Sequence, residues 1–100
     1  MEDITVQELK SRLDNGEPIH LIDVREDYEH DEYNIGGQNL PLGGIMEWSD
    51  ELDMPLDEEI VVYCRSGNRS GMAKSVLETK GYLAVRNLEG GMIAWQDMLE

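Results

Sequence analysis

The chain has 100 residues, 40% of them hydrophobic, which predicts a single domain over residues 1–100 with one modest core. Its net charge is −14, and such a surface repels nucleic acid and anionic lipid, so neither nucleic acid nor a membrane is an expected partner. No apolar run approaches the roughly 20 residues of a membrane span.

The cysteine content and the N-terminus bear on location. A single cysteine cannot form an internal disulfide, and together with only two histidines it makes a poor metal site, so no metal is expected. The lone thiol fits a reducing compartment. The acidic start at residues 1–3 is unlike a secretory signal, so the expected location is cytoplasmic, although a removed leader would leave the same pattern.

Helical and extended patterns alternate through the first half of the chain. Thr5 to Glu8 is typical of a capping box, with Thr5 as the N-cap and Glu8 reaching back to it, and the helix is expected to end at Asn15-Gly16. The nearly continuous apolar run at 19–24 predicts a strand buried on both faces. The segments that follow predict a short helix and loop at 25–33, a short strand at 39–42 and a helix at 43–52.

The second half repeats this alternation. Residues 60–63 are β-branched or aromatic and predict the clearest strand, followed by a loop at 64–70. The later segments predict a helix ending at Gly81, a strand at 82–88 and a helix from Gly90-Gly91. Strands that alternate with helices indicate an α/β fold with a parallel sheet covered on both faces. Ligands of such sheets lie beyond the carboxyl ends of the strands, where Cys64 follows the clearest strand.

The segment Cys64-Arg65-Ser66-Gly67-Asn68-Arg69-Ser70 joins this strand to a helix N-terminus. Free backbone N–H groups and a positive dipole are found at such a terminus. Gly67 permits a tight turn, and Arg65 and Arg69 add positive charge. These surroundings lower a cysteine pKa, so Cys64 is the candidate nucleophile. The alternatives are that Cys64 is a small buried apolar residue and that the arginines only solubilise the surface.

The length of the loop separates two chemistries. Thiolate phosphatases need the pattern Cys-x5-Arg, which forms a loop wide enough for a phosphate. Counting from Cys64, the seventh residue is Ser70, and Arg69 is the sixth. The shorter ring better suits a single sulfur atom attached to the thiolate.

At these residues the chain resembles the single-domain rhodanese family, the thiosulfate sulfurtransferase-like proteins. The resemblance extends over nearly the whole chain. Its most specific parts are the loop at 61–70 and the closing motif at 87–95, Asn-Leu-Glu-Gly-Gly-Met-Ile-Ala-Trp. Residues 21–26, with Asp23 and Arg25, look like the family's Asp-x-Arg strand end, and residues 39–42 match its Asn-Ile-Pro segment.

The resemblance implies a three-layer α/β/α fold with a five-stranded, mainly parallel sheet. It implies a sulfurtransferase that needs no cofactor, in which Cys64 takes sulfur from thiosulfate or a persulfide and passes it to cyanide or a thiol. The donor is expected to bind at Arg65, Ser66, Gly67, Asn68 and Arg69. With no second cysteine, the acceptor must come from outside the chain, as glutathione, thioredoxin or a sulfur-carrier protein.

The other polar residues have simpler interpretations. Asp23 and Arg25 are interpreted first as a structural ion pair supporting the site, and the resemblance also allows a pairing of Arg25 with Glu89. His30, in an acidic run, is expected to be solvated. Two other functions remain open, namely a phosphatase or arsenate reductase on the same scaffold and a non-enzymatic docking module.

Overall fold

The computed structural model describes residues 1–100 and contains four β-strands and five α-helices. No helix combines the length and the apolar character needed to cross a lipid bilayer. The elements in chain order are α1 (Val6–Asp14), β1 (His20–Asp23), α2 (Asp27–Glu32), β2 (Gln38–Asn39), a 3-10 turn (Leu42–Gly44), α3 (Ile45–Glu51), β3 (Glu59–Tyr63), α4 (Asn68–Thr79), β4 (Ala84–Asn87) and α5 (Gly91–Leu99).

The strands form one parallel sheet in the order β2-β1-β3-β4. The predicted α/β class with a parallel sheet is therefore confirmed. In the register of the two central strands, Asp23 of β1 lies beside Tyr63 of β3. Because parallel strands end at the same edge of a sheet, the segments that follow these two residues meet there.

The predicted fifth strand is wrong, because the sheet has four strands. In place of a fifth strand, the segment before α1 forms a single parallel bridge, between Ile4 and Leu88. The N–H of Ile4 donates to the carbonyl of Asn87 at 3.0 Å, and the N–H of Glu89 donates to the carbonyl of Ile4 at 2.9 Å. The next residue, Thr5, is already the N-cap of α1, so the chain leaves the sheet after one bridged residue.

The sheet has an apolar core on each face, which accounts for its strands being apolar almost throughout. Successive side chains of a strand point to opposite faces. On one face Ile60 and Val62 pack with residues of α3 and α4, and on the other Val61 and Tyr63 pack with residues of α1 and α5. The predicted three-layer arrangement is therefore present.

Three local expectations differ from the structure. The strand expected at 39–42 is β2 at Gln38–Asn39, and residues Leu42–Gly44 form a 3-10 turn. Thr5 caps α1 as predicted, and its hydroxyl accepts the N–H of Glu8 at 3.1 Å. The Glu8 carboxylate does not reach back to the cap, because it accepts hydrogen bonds from Arg86 at 2.7 and 3.1 Å. The predicted loop at 64–70 is also shorter, because α4 begins at Asn68.

Candidate active site

Cys64 lies between a buried strand and the start of a helix. Its side chain is 1% exposed and belongs to the core beneath α3 and α4. The turn after it needs Gly67, which caps α4 with a φ of +103°, a conformation that side-chain-bearing residues rarely adopt. This tight turn brings the first N–H groups of α4 back toward the cysteine.

Three donors surround the sulfur of Cys64. The N–H of Gly67 lies 3.1 Å from Sγ, and the N–H and hydroxyl of Ser70 lie 3.4 and 3.2 Å from it. Burial alone raises the pKa of the Cys64 thiol. The hydrogen bonds from Ser70 and from the N–H groups of Gly67 and Ser66 outweigh burial, so the pKa is lower than its ordinary value of 9.0. The site therefore favours the thiolate.

Ser70 contacts the sulfur of Cys64, although the sequence did not predict it among the binding residues. It is fully buried in the first turn of α4, and its hydroxyl also lies 2.5 Å from Oδ1 of Asn87. A hydroxyl has one proton, so it can donate to only one of these two acceptors at a time. The sequence feature that could have indicated Ser70 is its position near a helix N-terminus, where a backbone N–H faces the preceding turn.

The start of α5 holds the backbone of the cysteine loop. The N–H of Met92 donates to the carbonyl of Cys64 at 2.9 Å, and the N–H of Ile93 donates to the carbonyl of Arg65 at 3.0 Å. Gly91 has a φ of +56°, and a Cβ on it would overlap both of those carbonyl groups. The Gly-Gly pair of the closing motif thus allows the helix to approach the loop closely.

The two loop arginines have different surroundings. Arg65 is exposed, makes no salt bridge and lines a cavity of about 310 Å³ at this edge of the sheet. Arg69 forms two hydrogen bonds with the Glu29 carboxylate, at 2.7 and 3.0 Å. These bonds from Arg69 lower the pKa of Glu29 to about 2, so the pair stays ionised at neutral pH. Of the two guanidinium groups, the one on Arg65 is the unpaired one.

The other predicted binding residues of the loop contribute through their backbone and not through their side chains. Ser66 is exposed, and its N–H is among the groups that lower the pKa of Cys64. Asn68 is exposed at the first position of α4, and its side chain makes no hydrogen bond. Gly67 alone combines a turn conformation with a direct N–H contact to the sulfur.

Asp23 and Arg25 form the ion pair expected at the end of β1. The Arg25 guanidinium donates to the Asp23 carboxylate at 2.8 to 3.1 Å and to the carbonyl of Tyr33 at 2.6 Å. The alternative pairing with Glu89 is absent. The expectation that His30 is solvated is wrong, because its Nδ1 lies 2.8 Å from the Asp23 carboxylate.

Replacing Ser70 with alanine is expected to raise the pKa of Cys64, because the thiolate loses a hydroxyl donor. Loss of a hydrogen bond worth about 1.4 kcal/mol changes the acid dissociation constant of the thiol about tenfold. The pH profile of Cys64 alkylation by iodoacetamide should therefore shift upward, with a rate up to about tenfold lower on its acidic side.

The matched control is Ser66→Ala, which removes a hydroxyl from the same loop without removing a contact to the sulfur. Its profile should match that of the unchanged protein. Identical profiles for Ser70→Ala and the unchanged protein would show that the hydroxyl does not stabilise the thiolate.

The fold and the loop define a class, namely parallel α/β domains that hold a hydrogen-bonded thiol at a strand-to-helix junction. A sequence model of the rhodanese-like domain matches residues 5–98. The chain therefore belongs to the rhodanese-like domain family.

Relatives and solved structures agree with this assignment. A sulfurtransferase of Allochromatium vinosum is 38% identical over 96 residues, which cover 95% of this chain and 88% of that protein. A rhodanese-like domain protein of Staphylococcus aureus superposes with a TM-score of 0.82 at 32% identity, covering 95% of this chain and 91% of that one.

A third neighbour bears on the alternative chemistry. It is a Rhodopseudomonas palustris protein described as a possible tyrosine phosphatase, with a TM-score of 0.84 and 25% identity, covering 98% of this chain and 81% of that one. The chain spans 25% to 52% of the length of three other curated relatives, from Mycobacterium tuberculosis and Bacillus subtilis. The relative from Allochromatium vinosum is named a sulfurtransferase, and the one from Bacillus subtilis is named a putative sulfur carrier protein.

Proposed function

We propose that the chain is a sulfurtransferase in which Cys64 carries sulfane sulfur as a persulfide. The observation that carries this proposal is the set of donors around Sγ, which lowers the pKa of the one thiol at the carboxyl edge of the sheet. The thiolate is the form of cysteine that attacks sulfur. Membership of the rhodanese-like family supports the same chemistry.

The first half-reaction loads the cysteine. The Cys64 thiolate attacks the outer sulfur of thiosulfate or of a persulfide, a new S–S bond forms, and the donor's own S–S or S–sulfonate bond breaks. Sulfite or a thiolate leaves with the electron pair. The N–H groups of Ser66 and Gly67 and the first turn of α4 lie where they can stabilise charge on the transferred sulfur.

The second half-reaction unloads it. Because the chain has one cysteine, no internal disulfide can form, and an external thiol or cyanide must remove the sulfur. Glutathione, thioredoxin and a sulfur-carrier protein are the acceptor classes considered, in a reducing compartment such as the cytoplasm. A covalent intermediate between two half-reactions gives ping-pong kinetics.

The loop arginines have separate roles in this proposal. Arg65 is unpaired and exposed beside the cysteine, so it binds the anionic part of the donor. Arg69 is held by Glu29 and contributes its positive charge near the thiolate, while Asn68 begins the helix that supplies the donors. Asp23 and Arg25 support this edge as a buried ion pair. Neither step requires a metal or an organic cofactor.

The decisive experiment is intact mass after incubation with thiosulfate or a persulfide donor, beside a Cys64→Ser variant. The unchanged protein should gain one sulfur atom, about 32 Da, and lose it on adding dithiothreitol or cyanide. The variant should gain nothing. If neither donor adds mass to the unchanged protein, the sulfurtransferase proposal is wrong.

A thiol phosphatase is the second candidate, favoured by the Rhodopseudomonas palustris neighbour. It is the weaker one because the sixth loop residue, Arg69, is engaged by Glu29, and the seventh is Ser70 rather than arginine. Hydrolysis of p-nitrophenyl phosphate that depends on Cys64, without sulfur loading, would favour the phosphatase over the sulfurtransferase.

A further inference from the structure

One cavity borders the cysteine loop. It has a volume of about 310 Å³, and none of the other three cavities includes a residue of the segment 64–70. Arg65, which follows Cys64 directly, and Met92, whose N–H donates to the Cys64 carbonyl, both line it. Its volume is at the small end of the usual range for ligand pockets, so it suits a small molecule.

The cavity presents two unpaired charges of opposite sign. Four charged side chains line it, and two of these are already engaged, because Arg25 pairs with Asp23 and Glu29 pairs with Arg69. The other two are Arg65 and Glu32. Neither of them has a salt-bridge partner within 4.0 Å or a side-chain hydrogen bond, and the apolar residues Tyr33, Met92 and Ile93 line the same space.

We propose that this cavity binds a small thiol carrying both a carboxylate and an ammonium group, an α-amino-acid thiol, as the acceptor of the Cys64 sulfur. Arg65 binds its carboxylate and Glu32 binds its ammonium group. Among acceptor thiols, one with a carboxylate alone leaves Glu32 unmatched, whereas a zwitterion satisfies both charges. The inference rests on the proposed sulfurtransferase function and names its acceptor class.

The transfer step is balanced. The acceptor thiolate attacks the outer sulfur of the Cys64 persulfide and forms a new S–S bond. The bond between the outer sulfur and Sγ breaks, and its electron pair leaves on the Cys64 thiolate, which the donors from Gly67 and Ser70 stabilise. The product is the persulfide of the amino-acid thiol, and no oxidant or reductant is consumed.

The test measures discharge of preloaded protein by three acceptors. Protein carrying the persulfide, verified by mass, is desalted and mixed with cysteine, with cysteamine, which lacks the carboxylate, or with 3-mercaptopropionate, which lacks the ammonium group. The unchanged protein is compared with Glu32→Gln and Arg65→Gln. Each acceptor is compared with itself across the variants, so differences in intrinsic thiol reactivity cancel.

The two variants should have different patterns. Glu32→Gln should slow discharge by cysteine and cysteamine about 3–5-fold, the size of an exposed ion pair, and should not slow discharge by 3-mercaptopropionate. Arg65→Gln should slow discharge by cysteine and 3-mercaptopropionate by a similar factor and should not slow discharge by cysteamine. Asp31→Asn is the control, because it removes one negative charge from the same helix at an exposed residue outside the cavity.

Three outcomes would overturn the inference. If either variant changes the discharge rates of all three acceptors equally, or changes none of them, Arg65 and Glu32 do not recognise the carboxylate and the ammonium group. Asp31→Asn reproducing the pattern of Glu32→Gln would assign the effect to overall charge. Failure of the unchanged protein to load with any donor would remove the proposed function as well, whereas a loaded protein without the pattern removes only the acceptor assignment.

Discussion

Replacing Gly91 with alanine is expected to destabilise the protein by about 2–5 kcal/mol, as the sum of left-handed backbone strain and overpacking. The added Cβ would overlap the carbonyl groups of Cys64 and Arg65. Relieving that overlap moves α5 away and breaks the hydrogen bonds from Met92 and Ile93 to the loop. Urea denaturation measures the loss, and the rate of sulfur loading should fall with it.

The matched control for this prediction is Gly16→Ala. Gly16 also has a positive φ, +77°, but a Cβ there meets nothing within 4 Å. Gly16→Ala should lower the free energy of unfolding only by the backbone strain, about 1–2 kcal/mol. The variant should load sulfur at the unchanged rate. Equal losses of stability in the two variants, with equal loading rates, would show that the close approach at Gly91 does not position the loop.

The order of the elements was predictable because it depends on local patterns. Apolar runs at 19–24 and 60–63 have the length and composition of buried strands, and both form parallel strands in the structure. The number of strands was not predictable in the same way. The five-stranded sheet came from the resemblance, and the capping of α1 by Thr5 directly after Ile4 limits the edge to one bridge.

The position of Cys64 was predictable, but the partners of the polar residues around it were not. Glu29 and Arg69 are 40 residues apart, and no periodicity of the sequence indicates that α2 reaches the loop. The same holds for His30, which the fold brings to Asp23 instead of leaving it in solvent. Glu8 matches the capping-box pattern, yet the fold presents Arg86 to it as a stronger partner.

These differences have one physical origin. A strand, a helix start or a tight turn depends on neighbouring residues, so its pattern is contained in a short segment. An ion pair between α2 and α4 depends on where two elements pack, which the sheet order decides. The sequence therefore predicted where Cys64 and its loop lie, whereas the distinction between a paired Arg69 and an unpaired Arg65 required the structure.

Replacing Asp23 with asparagine is expected to lower the free energy of unfolding by about 3–5 kcal/mol, the cost of leaving a buried charge without its partner. Asp23 is fully buried and accepts hydrogen bonds from the backbone and guanidinium of Arg25. Arg25 is itself 6% exposed, so water compensates only partly for the lost carboxylate charge. Urea denaturation measures the change. An unchanged slope of the unfolding free energy against urea concentration checks that unfolding stays two-state.

Two further variants separate the loss of charge from the loss of shape. Asp53→Asn, at an exposed residue without an ion pair, should change stability by less than about 0.5 kcal/mol. Asp23→Asn combined with Arg25→Met removes both charges and should recover part of the stability, because the unpaired guanidinium is gone. If the double variant were as unstable as the sum of its single variants, the two residues would stabilise this edge independently, and the ion pair would not be what holds it.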